Sequence, residues 1–273
     1  MSDRLNVCRV SLVLFLAATL SLPACQTTTE AGAVGVDRKQ TLLLSSEQVN
    51  EAAVSAYRQI VQAATQKGAL NRNPAHVQRV RAITQRLIPA TAAFRKDAPG
   101  WNWEVNVIES PQVNAWAMPG GTLAVDSGLI EKLNLTDDEL AAILGHEIAH
   151  ALREHGRERA SQQLVQDIGV SVLSAVTGIG GVGQDLASLV ADVTIGLPYS
   201  RKFEREADRI GVELAARAGY DPRAAITVWQ KMAKLGNGGT PEFLSTHPSD
   251  ESRIKDLQEV IQRVMPLYQQ ARR

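Results

Sequence analysis

Residues 136–155, TDDELAAILGHEIAHALREH, constrain the chain more than any other stretch. Thr136 and Glu139 stand at the spacing of a capping box, so a helix starts here. Leu140, Ile143, Leu144, Ile148, Ala151 and Leu152 recur every three or four residues, laying down an apolar stripe that must pack against a core. On that helix His146 and His150 share a face, about 6 Å apart along the axis at a rise of about 1.5 Å per residue. Both can therefore reach one zinc ion. Glu147 is turned about 100° from His146, off the ligand row but near enough to a water activated there to serve as general base. Gly145, just before the first histidine, allows a close approach by another backbone or a ligand.

The chain has 273 residues, 44% of them hydrophobic, which is enough for one good core. A formal net charge of zero gives no electrostatic case for nucleic acid, and 4% aromatic residues leave little for base stacking. Arg4 and Arg9 precede an apolar run, residues 10–22, that ends in Pro23-Ala24-Cys25. The run is short for a membrane span and has the order of an export signal. Leu22-Pro23-Ala24-Cys25 resembles the bacterial lipoprotein signal, which implies that Cys25 becomes the lipidated first residue. Gln26 rather than an aspartate after it implies, by the same resemblance, anchoring to the outer membrane with the rest of the chain in the periplasm. Cys8 would leave with the signal, so no intramolecular disulfide is expected. Residues 26–45 are rich in Thr, Gly and Ala without sustained period and read as a tether. The expected organisation is thus signal 1–24, tether 25–45 and one catalytic domain 46–273.

Amphipathic helices are predicted over 46–67, closed by Gly68, and over 74–88, opened by Pro74, with His76 facing solvent. Residues 101–108 alternate with period two and read as a strand. Pro119-Gly120-Gly121 is a turn between 113–118 and 122–125, which puts a small antiparallel sheet just before the zinc helix. Its strand Asn114-Ala115-Trp116-Ala117 could be an edge to which an extended substrate adds through main-chain hydrogen bonds; a plain structural hairpin is the equal alternative. His155, five residues after His150 on a continuing helix, is turned about 140° from the ligand face and is left out of the metal shell. Residues 168–197 are apolar, with Gly178, Gly180, Gly181 and Gly183 clustered. They read as two helices flanking a flexible loop over the cleft rather than as membrane spans of about 20 residues. The fold class is α+β, predominantly helical. A final helix, capped by Ser249, turns Ile254, Leu257, Ile261 and Met265 inward.

In SRKFEREADRIG, residues 200–211, Glu204 and Asp208 share a helix face. One could bind zinc while the other accepts an imidazole N–H; alternatively both belong to a solvated face paired with Arg201, Arg205 and Arg209. Taken with HEIAH and NAWAMPGG, this motif resembles the gluzincin metallopeptidases of the HtpX and CAAX prenyl protease kind, closest to soluble periplasmic members of the BepA and LoiP type, over residues 103–253. The resemblance implies a zincin-like domain with one zinc on His146, His150 and Glu204, Glu147 as base, and Asp208 orienting a ligand or assisting proton transfer. His247, before Pro248, resembles a loop histidine that in some members is a removable fourth ligand or steadies the transition state; a loop histidine alone reads as a surface residue. The expected activity is zinc-dependent cleavage of misfolded or misassembled envelope proteins, with polypeptide substrates and, by resemblance, the outer-membrane assembly machinery as partners. The competing expectation is a non-catalytic assembly chaperone whose structural zinc is closed by four protein ligands, where catalysis leaves a corner open.

Overall fold

Two helices that cross at glycines form the centre of the fold. A computed structural model describes residues 25–177, 185–235, 241–248 and 251–273, the side chains of 25 and 167–177 excepted. The capping box is formed: the Thr136 hydroxyl accepts from Glu139 N–H, and the Glu139 carboxylate accepts from Thr136 N–H. It opens a helix over Asp137–Leu152, in which every residue from Glu139 onward is buried. The predicted apolar stripe is therefore only one side of a helix enclosed all round. The helix Arg201–Arg217 crosses it so closely that a Cβ on Gly145 would lie 2.8 Å from the Gly211 carbonyl oxygen, and one on Gly211 2.8 Å from the His146 nitrogen. Only glycine at both positions permits this approach, which delivers carboxylates from the second helix to the histidines of the first.

Around this pair the elements run β1 Cys25–Gln26, β2 Gln40–Thr41, α1 Ser46–Gln66, α2 Pro74–Leu87, β3 Glu104–Ile108, β4 Ala115–Met118 and β5 Thr122–Asp126. There follow α3 Ser127–Leu133, α4 Asp137–Leu152, α5 His155–Thr177, α6 Leu186–Ala191, α7 Arg201–Arg217, α8 Ala224–Leu235, α9 Glu242–Thr246 and α10 Glu251–Ala271. The Gly120-Gly121 turn, with φ of +89° and +101°, joins β4 to β5 as predicted. The sheet order is β3-β5-β4, with β4 antiparallel and β3 parallel to β5. This corrects the antiparallel sheet: residues 109–114 carry the chain from β3 past β5 to its far side, a crossing that no alternation of side chains encodes. Residues 101–103 stay outside β3, with the Trp101 and Trp103 rings stacked 5.4 Å apart.

Residues 26–45 are corrected from tether to strap. Val34, Val36 and Leu42 are buried, β1 pairs with β2, and Gln40 donates to the Arg153 carbonyl. Arg38 on this strap is hydrogen-bonded to both Glu158 and Glu206. Composition predicts a spacer because these partners of the strap lie more than a hundred residues away.

The helix expected to run on past His150 breaks at Arg153-Glu154, where Glu154 has φ of +50°, and α5 begins anew at His155. Two helices, α5 and α6, flank the glycine cluster as predicted. The cluster itself lies outside the described residues, as do the glycine stop at 236–239 and the Ser249 cap. No described helix is long and apolar enough to cross a membrane.

Candidate metal centre

The ring nitrogens His146 Nε2 and His150 Nε2 stand 3.1 Å apart on α4. From α7, Glu204 Oε2 lies 3.4 Å from His146 Nε2, and Oε1 lies 3.4 Å from His150 Nε2. His247 follows α9 in a loop, and its Nδ1 lies 3.3 Å from His146 Nε2 and 3.0 Å from Glu204 Oε1. All four residues are buried, and their donor atoms fall within 4.8 Å of one another. Zinc bonds of about 2.0–2.1 Å in a tetrahedron set donors about 3.3 Å apart, so the donor set fits zinc. Glu204 Oε2 also lacks a hydrogen-bond donor, since Arg253 Nη1, 2.8 Å away, is not aligned with it. Oε2 faces His146 Nε2 and Oε1 faces His150 Nε2, so the carboxylate adds its charge to the two imidazole nitrogens at a place suited to a cation.

Asp208, one turn after Glu204, reaches behind the first histidine: its Oδ1 is 3.0 Å from His146 Nδ1. Of the two residues, Glu204 faces the donor cluster and Asp208 stands at the far nitrogen of the His146 ring. Arg209, a candidate ion-pair partner for these acids, pairs with Asp256 instead. The cation that holds them is Arg253 on α10, fully buried, donating to Asp208 Oδ2 at 2.7 Å and to Oδ1 at 2.8 Å. The Trp229 ring lies 4.1 Å from its guanidinium carbon. Sequence reasoning misses Arg253, although a charged residue one turn before Leu257 on the inward stripe of that helix is a signal that it needs buried partners.

His155 is not among the cluster's donors, as expected, but the reason differs. The chain turns at Glu154 and places His155 Nδ1 2.9 Å from His150 Nδ1, on the side of the ring away from the donor cluster. His155 Nε2 in turn lies 3.1 Å from Glu206 Oε2. His247 packs against Phe243 and Tyr199, with ring centroids 4.4 Å and 5.4 Å away. His247 Nδ1 thus stands as a fourth donor beside those of His146, His150 and Glu204. His76 is half-buried, 3.8 Å from Glu131 and remote from these residues in the fold.

Burial opposes charge throughout the cluster, and named partners overcome it at some groups only. At His146 the nearby Asp208 and Glu204 outweigh burial and raise the pKa to about 9. A place that attracts a proton so strongly attracts a metal cation for the same reason. His150, by contrast, is held well below its ordinary value by burial, and the neighbouring His146 ring adds to this. Burial would raise Glu204, but the His247 and Arg253 side chains hold it well below the usual carboxylate range. Asp208 is likewise lowered against burial by Arg253 and His146. Glu147 goes the other way: burial pushes it up, and its Oε1 has no hydrogen-bond partner, with His247 Nε2 3.5 Å off.

Ala115-Trp116-Ala117 lie on β4, which is an edge of the sheet, Asn114 immediately precedes it, and all four are buried. Asp126 N–H donates to the Asn114 carbonyl, so the register turns the main chain of Asn114, Trp116 and Met118 toward β5 and that of Val113, Ala115 and Ala117 outward. Three of the outward groups have partners, the Ala117 N–H facing the Glu147 carboxylate. The Val113 carbonyl accepts from Phe243 N–H, and Ala115 N–H donates to Asn114 Oδ1.

Two imidazoles one turn apart, a glutamate between them in sequence and a carboxylate from a later helix define a zinc metallopeptidase centre. The chain belongs to peptidase family M48, whose profile matches residues 74–261. It is 38% identical over 173 residues to the mitochondrial metalloendopeptidase OMA1 of Arabidopsis thaliana, covering 63% of this chain and 34% of that protein. To the mitochondrial metalloendopeptidase OMA1 of Bos taurus it is 37% identical over 203 residues, covering 69% of this chain and 38% of that one. To the beta-barrel assembly-enhancing protease of Yersinia pestis it is 31% identical over 162 residues, covering 55% and 32%. The chain therefore spans only about a third of the length of these relatives. Zinc is the cofactor that both the family and the donor set call for.

Proposed function

We propose that the chain is a zinc-dependent endopeptidase acting on polypeptides of a bacterial cell envelope. The observation that carries this reading is Glu147: a buried carboxylate without a hydrogen-bond donor on Oε1, on the same helix turn as two imidazoles that share a donor cluster with Glu204. His146, His150 and Glu204 would hold a zinc ion, which would supply a Lewis acid for the scissile carbonyl and lower the pKa of a water from about 15.7 toward about 7. Glu147, its own pKa pushed up by burial, takes the proton of the attacking water and returns it to the departing amine. Asp208, itself gripped by Arg253, holds the His146 ring so that Nε2 keeps its lone pair toward the cluster. The outward main chain of β4 is suited to align an extended substrate, once the contact of Phe243 with Val113 is released.

His247 bears on the competing reading. Four protein donors form the closed set of a structural zinc, which suits a chaperone; three leave room for chemistry. Because His247 alone comes from a loop, and touches Glu147 as well as the cluster, we read it as a latch that closes the resting site. His247→Ala is then expected to raise the rate of denatured-casein cleavage several-fold while zinc stays bound. A fall in rate with zinc retained would make His247 a transition-state group, and loss of zinc would make the metal structural.

The leader order, Cys25 and the likeness to a beta-barrel assembly-enhancing protease support a lipid-anchored protein in the periplasm, with signal 1–24, acting on misfolded or misassembled envelope proteins. The mitochondrial relatives carry no such implication for this chain. Whether Cys25→Ser protein leaves the membrane fraction is the test of the anchor.

A further inference from the structure

We propose that His155, backed by Glu206, is a positioning residue that fixes the tautomer and orientation of His150 for metal binding. An imidazole binds zinc through one nitrogen only if the other carries the proton, and that far nitrogen is ordinarily held by an acceptor. His146 has Asp208 for this purpose. At His150 Nδ1 what stands, among the described residues, is not a carboxylate but another ring nitrogen, His155 Nδ1, at 2.9 Å.

Two ring nitrogens at that distance must be one donor and one acceptor. The far end of the chain of contacts decides which. His155 Nε2 faces Glu206 Oε2 at 3.1 Å, and the Glu206 carboxylate is also the acceptor for Arg38 and Arg153. Flanked by two guanidinium groups, Glu206 accepts, so His155 Nε2 carries the proton and neutral His155 accepts at Nδ1. His150 Nδ1 then donates, and His150 Nε2 presents its lone pair to His146 Nε2 and Glu204. His155 is fully buried and lies stacked on Phe203 with ring centroids 4.6 Å apart, so neither solvent nor an easy ring rotation substitutes for this arrangement. Arg38 extends the relay to the N-terminal strap, which thereby steadies a metal ligand it does not touch.

The proposal rests on the zinc reading above, and its failure is separable from the failure of that reading. The test measures the zinc dissociation constant of the full chain by chelator competition, for wild type, His155→Phe and His155→Gln. Phenylalanine keeps the stacking on Phe203 but removes the acceptor, and zinc binding is expected to weaken about 10–100-fold. Glutamine supplies a carbonyl acceptor and is expected to restore most of that loss, which a role in packing alone would not produce. Imidazole 15N spectra of the zinc-loaded wild type are expected to show the proton of His150 on Nδ1 and that of His155 on Nε2, whatever the variants do. Wild-type zinc affinity in His155→Phe, glutamine as weak as phenylalanine, or the opposite tautomer in wild type would each overturn the proposal. A wild type that binds no zinc would instead overturn the reading beneath it.

Discussion

Glu147→Gln is expected to lower kcat/KM on denatured casein by about 10²- to 10⁴-fold, the range that a positioned general base contributes, and to leave zinc bound. The glutamine amide keeps the size of the side chain but cannot take a proton from water. The native carboxylate is suited to receive one, because it is buried, its Oε1 has no hydrogen-bond donor, and burial has already raised its proton affinity. Because Glu147 is not among the clustered donors, the substitution removes the base without dismantling the metal centre. The measurement is paired kinetics and metal content. Undiminished cleavage with zinc in place would remove Glu147 from the mechanism, whereas unchanged cellular function in a cleavage-dead variant would favour the chaperone reading.

The second large effect is on stability. Arg253→Met leaves Glu204 and Asp208 buried without the cation that both now face. Breaking a buried ion pair by removing one partner costs about 3–5 kcal/mol, because the surviving charge has no water to return to. Here the loss also strips Trp229 of its cation contact. A bound metal would neutralise part of the stranded charge, so the deficit should be largest in chelator and smaller in excess zinc. Urea midpoints of wild type and variant under both conditions check this. A loss below about 1 kcal/mol in chelator, the size of a surface pair, would show that Arg253 is not what makes these carboxylates tolerable in the core.

What is legible in the sequence is local. The capping box at Thr136, the His146 and His150 spacing and the turn at Gly120-Gly121 each depend on a few consecutive residues, and each forms as expected. Glu204 and Asp208 are visible as a pair sharing a face, but their separate roles depend on where α7 meets α4, which is set by Gly145 and Gly211. Of these two glycines, only Gly145 stands out in the sequence, by its place beside His146. The parallel pairing of β3 with β5 and the docking of the strap are long-range choices that composition and alternation do not carry. His155 stays out of the donor cluster as expected, but the reason given for it, an unbroken helix past His150, fails, because the left-handed backbone at Glu154 swings the ring behind its neighbour. Arg253 escapes because its partners lie 45 and 49 positions earlier, at Asp208 and Glu204. His247 is reachable only by resemblance, since nothing local distinguishes it from a surface histidine.

The central claim is that His146, His150 and Glu204 bind one zinc. It is tested most directly by zinc per chain, measured by elemental analysis on folded wild type, His150→Ala and Glu204→Gln after equilibration with limiting zinc. The account predicts one zinc in the wild type and little or none in either variant. Full retention in both variants, or none in the wild type, would contradict it.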